Sequence, residues 1–211
     1  MPRNLIVFDL DGTLNKTENY AVPAILNALR QLGATEFDRQ DVIDTFGARD
    51  EDTIVKFFGD RAQEVEKEFW QKVSSFVENS DDLYKPYDGT EGMLKALKKS
   101  GCLLAICSNA GLDYIAKTAK RLKIEDYFDF YQELVPGLTK ADTLCLLLKK
   151  VKPDKAVMVG DRYFDKDAAV FNNIPFVGCV YGYGNINELE GADYLINTPL
   201  ELIEVVLNRF I

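Results

Sequence analysis

The sequence contains no histidine in its 211 residues. Histidine is the side chain that most often supplies a general base near neutral pH, and it is the commonest metal ligand. Its absence excludes histidine-dependent acid–base catalysis and every histidine-ligated metal site. Any proton transfer must therefore fall to aspartate, glutamate, lysine, tyrosine or cysteine side chains.

Long apolar runs are also missing, since none approaches the roughly 20 residues needed to cross a bilayer. The N-terminal apolar run ends at Asp9 and lacks the form of a cleavable leader. No C-x-x-C pair occurs among the four cysteines, which are Cys102, Cys107, Cys145 and Cys179. We therefore expect free, buried thiols, no membrane partner and a cytoplasmic location.

Positive charge is scarce, since the sequence has 25 basic and 34 acidic residues and a net charge of −9. This balance argues against non-specific nucleic-acid binding, which needs cations against the phosphate backbone. An acidic protein that handles anions needs localised cations or a metal ion. Hydrophobic residues make up 47% and charged residues 28%, the ordinary balance of a globular protein.

Short apolar runs with strand character recur along the chain, and helical segments separate most of them. The predicted strands lie at 5–8, 103–107, 128–131, 156–159, 175–178 and 192–196. The predicted helices lie at 90–99, 111–122, 140–150, 165–173 and 199–209. Several strand runs are continuous rather than alternating, which is typical of strands buried on both faces. The pattern predicts an α/β fold, with a Rossmann-like parallel sheet and helices on both faces.

The stretch between Leu14 and Pro86 breaks this alternation, because no convincing strand occurs in it. Amphipathic segments rich in Glu, Gln, Lys and Arg occur there instead, near 18–32, 39–46, 51–58 and 61–79. We predict that residues 15–86 form a small helical cap domain. It is inserted into a catalytic core made of residues 1–14 and 87–211.

Two carboxylates end the first predicted strand. Asp9 and Asp11 are two residues apart, so an extended backbone points both side chains the same way, and Gly12 lets the chain leave the strand sharply. Ligands of open parallel sheets bind beyond the carboxyl ends of the strands. Converging carboxylates need a proton or a cation between them, and Mg²⁺ suits such oxygen ligands.

A second acidic pair, Asp161 and Asp165, follows the strand predicted at 156–159. A single aspartate after a strand commonly caps a helix or a turn. Two acidic pairs at strand ends, each beside a glycine, favour one metal site shared with Asp9.

Side chains that could bind a phosphate occur after another predicted strand and at the start of a predicted helix. Ser108 and Asn109 come directly after the strand predicted at 103–107, where a hydroxyl and free N–H groups can hold an anion. Lys140 begins a predicted helix, where a cation is unfavourable to the helix dipole. A lysine at that position is best explained by an anion nearby.

These stretches, in this order, resemble the four motifs of the haloacid dehalogenase superfamily. DLDGTL at 9–14 is similar to the first motif, ICSNA at 106–110 to the second, Lys140 to the third and GDRYFD at 160–165 to the fourth. The predicted insertion resembles the small helical cap of one large subgroup. The tail after residue 180 is similar to that of phosphoglycolate-phosphatase-like hydrolases.

The resemblance implies a chemistry for each matching residue. Asp9 is the nucleophile that forms an aspartyl-phosphate, and Asp11 is the general acid–base. Mg²⁺ is held by Asp9, the backbone carbonyl of Asp11, Asp161 and Asp165, the last of these directly or through water.

The resemblance also implies that Ser108, Asn109 and Lys140 hold the substrate phosphate. The substrate class implied is a small phosphorylated metabolite, and the enzyme class is a phosphoric monoester hydrolase.

The chain departs from the family pattern at Asn15-Lys16-Thr17, at Ala141 after Lys140, and at Asn172-Asn173. None of these departures removes a residue that the chemistry needs.

In the predicted cap, Arg49 stands in the loop Phe46-Gly-Ala-Arg-Asp50, beside two small residues. We predict that Arg49 grips a carboxylate or a second anion and so contributes to substrate specificity; the alternative is a solvated residue at a helix start. The segment GARDED also bears some likeness to the cap loop of β-phosphoglucomutases.

A sugar-phosphate mutase therefore remains the alternative enzyme. A non-catalytic binding module is disfavoured by the intact motif residues, and dehalogenation does not need the acidic metal pairs. A monomer and a homodimer are both compatible with the sequence.

Overall fold

The computed structural model describes residues 3–209 of the chain. Their strands form one parallel six-stranded sheet with the order β3-β2-β1-β4-β5-β6. The strands are β1 (Asn4–Phe8), β2 (Leu103–Cys107), β3 (Phe130–Gln132), β4 (Lys155–Gly160), β5 (Phe176–Cys179) and β6 (Tyr194–Ile196). The predicted α/β fold with a parallel sheet is confirmed.

Two compact units divide the chain. The sheet unit comprises Met1–Asn15 and Pro86–Ile211, and the helical unit comprises Lys16–Lys85. In the helical unit the helices are α1 (Glu18–Gln31), α2 (Arg39–Ile43), α3 (Asp50–Phe58) and α4 (Ala62–Val77). In the sheet unit they are α5 (Thr90–Lys99), α6 (Leu112–Arg121), α7 (Lys140–Val151), α8 (Tyr163–Phe171) and α9 (Glu201–Arg209). Short 3₁₀ turns occur at Gly59–Arg61, Asp81–Leu83 and Glu125–Tyr127.

The central strand β1 is buried on both faces. Leu5 and Val7 belong to one core cluster, in which Leu144 and Leu147 of α7 also take part. Ile6 and Phe8 alternate with them along the strand and are also buried. This burial explains why the sequence of β1 is continuously apolar rather than alternating.

The helical unit has a core of its own, in which several aromatic side chains pack against one another. Phe69 of α4 packs near Phe57 and Phe58 of α3, with ring centroids 6.4 and 5.7 Å away. Tyr20 of α1 stacks on Tyr84, near the end of the unit, at 3.9 Å. The phenylalanine contacts join α3 to α4, and the tyrosine pair joins α1 to the end of the unit. No strand occurs among the described residues of the unit.

The cysteines are free, as the sequence predicts; Cys102, Cys107 and Cys179 are buried and Cys145 is half-buried. Within residues 3–209, no helix combines the length and the apolar character that a membrane span requires.

Candidate functional site

Three neighbouring strands of the sheet bring the candidate residues to one edge. Asp9 follows β1, Ser108 follows β2 and Asp161 follows β4. Because β2, β1 and β4 are adjacent and parallel, their carboxyl ends lie side by side. From β1 the chain passes to β2 and β3 on one side and then crosses to β4 on the other side, and such a switch point is where ligands of open α/β sheets bind.

Lys140 is a buried cation between two buried carboxylates. It is the first residue of α7, whose N-terminus is capped by the Thr139 side chain on the Asp142 amide. Its Nζ donates a hydrogen bond to Oδ1 of Asp9 and lies 2.6 Å from Oδ1 of Asp165. These carboxylates supply the anion that a lysine at a helix N-terminus requires.

Asp9, Asp161 and Asp165 form a cluster with the character of a metal site. One carboxylate oxygen from each lies within 4.8 Å of the others, and all three side chains are buried. Lys140 offsets one of the three negative charges, so a divalent cation would balance the rest. Carboxylate oxygens are the donors that hard cations such as Mg²⁺ prefer, so the residues present fit a divalent metal ion.

Burial dominates the electrostatics of this cluster. It raises the pKa of Asp9 well above its ordinary value; Asp165 and Asp161 raise it further, and Lys140 opposes them. Burial, with the neighbouring charge of Asp165, raises the pKa of Asp161 to about 7. For Lys140, burial lowers the pKa, but Asp165 and Asp9 outweigh it, so the pKa is raised and the ammonium keeps its proton.

The carboxylate of Asp161 is held from two distant parts of the chain. It accepts a hydrogen bond from the backbone N–H of Tyr183 at 2.7 Å and another from the Thr13 hydroxyl at 3.2 Å. The backbone of the segment Tyr181-Gly-Tyr-Gly184 approaches so closely that a Cβ on Gly182 would lie 2.2 Å from the Asp161 Cβ. Sequence reasoning missed this contact, although the paired glycines were a usable signal of close backbone approach.

Asp165 is held by the start of its own helix. Its Oδ2 accepts hydrogen bonds from the backbone N–H groups of Asp161 at 3.2 Å and Arg162 at 3.1 Å. This capping makes α8 begin at Tyr163, two residues before the predicted start. A Cβ on Gly160 would lie 2.2 Å from the Asp165 Cγ, so the glycine makes room for this carboxylate.

Asp11 is half-buried and is held by different partners. Its Oδ1 accepts hydrogen bonds from Nδ2 of Asn15 and from the hydroxyl of Tyr114, both at 2.9 Å. Asn15 was noted in the sequence only as a departure from the motif, and Tyr114 was not singled out. The structure therefore gives the two first-motif aspartates separate surroundings.

Ser108 is buried at the end of β2, and its backbone N–H donates to the Gln132 carbonyl at 3.1 Å. Its Oγ accepts a hydrogen bond from the Ala110 N–H at 3.2 Å. Because Oγ is the acceptor in that bond, the hydroxyl hydrogen can still donate to an anion. Asn109 follows at a half-buried position.

A family model described as haloacid dehalogenase-like hydrolase matches residues 6–179, which contain all of the sheet-unit candidates described above. The chain belongs to the haloacid dehalogenase-like hydrolases. This membership confirms the resemblance on which the motif assignments depend.

Relatives of this hydrolase carry phosphatase names. It is 27% identical over 213 residues to a phosphoglycolate phosphatase of Aquifex aeolicus, covering 98% of each chain. It is 26% identical over 170 residues to the pyrophosphatase PpaX of Bacillus thuringiensis, covering 78% of this chain and 77% of that one. Such names are consistent with a phosphoric monoester hydrolase.

Solved structures share the fold. A protein described as a predicted phosphatase from Clostridium acetobutylicum superimposes with a TM-score of 0.86 at 24% identity, covering 99% of this chain and 100% of that one. A β-phosphoglucomutase from Clostridium difficile gives 0.80 at 17% identity, covering 98% and 96%. Likeness at these identities extends to the fold alone.

Arg49, the candidate specificity residue, lies in the helical unit directly before α3. Its guanidinium forms a two-point ion pair with Asp52, in which Nε lies 2.8 Å and Nη2 3.0 Å from the carboxylate oxygens. The Arg49 side chain is half exposed. The arginine is therefore an accessible surface cation that already has an anionic partner in the first turn of α3.

The thiol of Cys107, the last residue of β2, lies among the site residues of the sheet unit. Burial raises its pKa to about 12, with Lys140 opposing the shift. A thiol protonated at neutral pH is a poor nucleophile. Cys107 is therefore a poor candidate for the attacking group.

Proposed function

We propose that the protein is a Mg²⁺-dependent phosphatase that hydrolyses a small phosphomonoester through an aspartyl-phosphate on Asp9. The observation that carries this proposal is the buried cluster of Asp9, Asp161, Asp165 and Lys140 at the carboxyl edge of the sheet. Three buried carboxylates beside one ammonium are costly to a fold unless a bound group balances them.

Asp9 is the nucleophile in this proposal. A carboxylate oxygen attacks phosphorus, the bond from phosphorus to the leaving oxygen breaks, and an acyl-phosphate forms on Asp9. Lys140 stays protonated beside Asp9 and offsets charge on the phosphoryl oxygens. The Ser108 hydroxyl, whose hydrogen is not used in its bond with Ala110, donates to one of those oxygens.

Asp11 moves the proton. Its carboxylic acid gives a proton to the leaving oxygen in the first step and, as a carboxylate, takes one from water in the second. Attack of that water on phosphorus breaks the bond to Asp9, releases inorganic phosphate and restores both aspartates. The absence of histidine does not impair this cycle, since two aspartates perform both roles.

Asp9, Asp161 and Asp165 would hold the metal ion, together with the backbone carbonyl of Asp11. When bound, Mg²⁺ supplies positive charge to the phosphoryl group. Asp161 is prepared for this by the Tyr183 amide and the Thr13 hydroxyl, which fix its carboxylate.

The names of two relatives, a phosphoglycolate phosphatase and a pyrophosphatase, support a substrate class. Phosphoglycolate and pyrophosphate are small, highly charged phosphate compounds, so we propose a small anionic metabolite for this chain. The mutase likeness rests on fold similarity at 17% identity, and hydrolysis is better supported.

A phosphate-release screen with Mg²⁺ tests the proposal. We expect release from one or more of 2-phosphoglycolate, pyrophosphate and simple aryl phosphates, and loss of that release in excess EDTA. Incubation with β-glucose 1-phosphate should give no glucose 6-phosphate. Full activity in EDTA would contradict the metal site, and conversion to the 6-phosphate would establish the mutase.

Metal binding has a second readout that does not depend on turnover. Mg²⁺ should raise the thermal midpoint of the wild type, because it binds the folded state, and should raise that of Asp161→Asn much less. Equal shifts in the two proteins would remove Asp161 from the metal site.

A further inference from the structure

The carboxylate of Asp11 is held by two donors that no family motif supplied. Both Asn15 and Tyr114 donate to one oxygen, Oδ1, each at 2.9 Å. Asn15 is four residues along the chain, whereas Tyr114 is separated by 103 residues. The tyrosine therefore reaches Asp11 only because the β1–β2 pairing brings the following segments together.

The local backbone makes this arrangement firm. The amides of Leu14 and Asn15 donate to the Leu10 carbonyl at 3.0 and 2.9 Å, and the Gly12 amide donates to the Asn15 carbonyl at 3.0 Å. Asn15 is completely buried. Asp11 and its donor Asn15 thus sit on one closed turn, while Tyr114 donates from the third residue of α6.

Two hydrogen bonds accepted by the same oxygen have a chemical consequence. A carboxylate oxygen offers two lone pairs, and both on Oδ1 are used by these donors. Oδ1 is therefore the oxygen that anchors the carboxyl group, and in the proposed reaction the proton would pass through Oδ2. The donors also fix the rotation of the carboxyl group, so that the proton is presented in one direction.

Resting on the proposed function, we propose that Tyr114 is a positioning residue for proton transfer by Asp11. Its hydroxyl, with Asn15, selects Oδ2 as the proton-bearing oxygen and aims it at the leaving group. Tyr114 itself exchanges no proton with the substrate. Its contribution therefore grows with the need of the leaving group for a proton.

The test compares two substrates through kcat/KM, which reports steps up to and including transfer to Asp9. Tyr114→Phe keeps the ring and removes the donor. We expect kcat/KM for an alkyl phosphate, glycerol 3-phosphate or 2-phosphoglycolate, to fall about tenfold. For p-nitrophenyl phosphate, whose leaving group needs little protonation, kcat/KM should fall less than about twofold.

Tyr127→Phe is the matched control. Its hydroxyl makes a 3.4 Å contact with Glu91 on the surface of the same unit, so neither substrate should be affected. Thermal midpoints of both variants show whether folding is intact, and Tyr114→Leu gives a second variant that removes the same donor.

An equal fall for both substrates, or no fall for either, would overturn the role of Tyr114 while leaving the phosphatase itself established. A wild-type enzyme that releases phosphate from neither substrate would overturn both proposals. A selective fall with the alkyl phosphate supports the positioning role.

Discussion

The two units of the chain treat charged side chains in opposite ways. Among residues 3–209, the buried charged side chains are Asp9, Lys140, Asp161 and Asp165, and all four belong to the sheet unit. The buried polar residues of the helical unit are uncharged, namely Thr17, Thr45, Thr53 and Ser80. Its many acidic and basic residues lie toward solvent.

The difference shows where the sequence accepts an energetic penalty. Removing a carboxylate from water costs several kcal/mol even after relaxation, so such groups persist only when they are paired or bind a ligand. The helical unit avoids that penalty by building its core from aromatic and aliphatic groups. The chemistry that we propose uses only side chains of the sheet unit, so charge changes in the two units should have unequal effects.

The largest contrast should come from one chemical change made in each unit. Asp9→Asn replaces the proposed nucleophile with an amide of near-equal size, so we expect at least a thousandfold loss in kcat, or about 4 kcal/mol. Asp60→Asn makes the same replacement at an exposed position of the helical unit and should leave kcat unchanged. Phosphate release and circular dichroism of both variants provide the comparison.

An Asp9→Asn enzyme that retains more than about a hundredth of the wild-type rate would argue against a covalent role for Asp9. Loss of activity in Asp60→Asn would show that the helical unit contributes charge to the reaction.

A pair of glycines sharpens the comparison at the level of stability. Gly12 in the sheet unit and Gly33 in the helical unit have φ angles of 93° and 81°, which disfavour any other residue. A Cβ on Gly12 would lie 2.3 Å from Oδ2 of Asp161, whereas nothing lies within 4 Å of one on Gly33.

We therefore expect Gly33→Ala to lower the free energy of unfolding by about 1 kcal/mol through backbone strain alone, with kcat unchanged. Gly12→Ala should cost about 3 kcal/mol, since a steric clash is added to the strain, and should impair Mg²⁺-dependent activity through Asp161. Urea unfolding and kinetics measure both. Equal losses of stability would mean that the Asp161 side chain moves aside without penalty.

The same contrast separates what the sequence could predict from what it could not. Apolar runs place the six strands of the sheet to within about two residues, and the run of β1 is continuous because that strand is buried on both faces. The carboxylates follow those runs directly, so their arrival at one edge follows from the parallel sheet. The roles of Ser108, Asn109, Lys140 and Arg49 in binding substrate stay predictions.

Contacts between segments distant in sequence could not be predicted from the sequence. The hydroxyl of Tyr114 on Asp11 depends on where α6 lies after β2, and the amide of Tyr183 on Asp161 depends on the return of the chain after β5. The observed start of α8 also differs from the prediction. The hydrogen bond from the Arg162 amide to Asp165 sets that start, and the spacing of apolar residues does not reveal it. Each miss is a tertiary or capping contact rather than a wrong element.

The smallest expected effect concerns Arg49, the predicted specificity residue of the helical unit. Its ion pair with Asp52 is half exposed and screened by solvent, so Arg49→Ala should leave the free energy of unfolding nearly unchanged. If the guanidinium grips a carboxylate-bearing substrate, kcat/KM for 2-phosphoglycolate should fall about tenfold, the loss of one charge-assisted contact, and that for p-nitrophenyl phosphate much less. Asp52→Ala is the matched control, because it breaks the same ion pair but keeps the cation, and it should not lower kcat/KM. Equal falls for both substrates would assign Arg49 a general structural role. No fall for either would make it a solvated residue at the start of α3, and the contrast between the two units would then be complete.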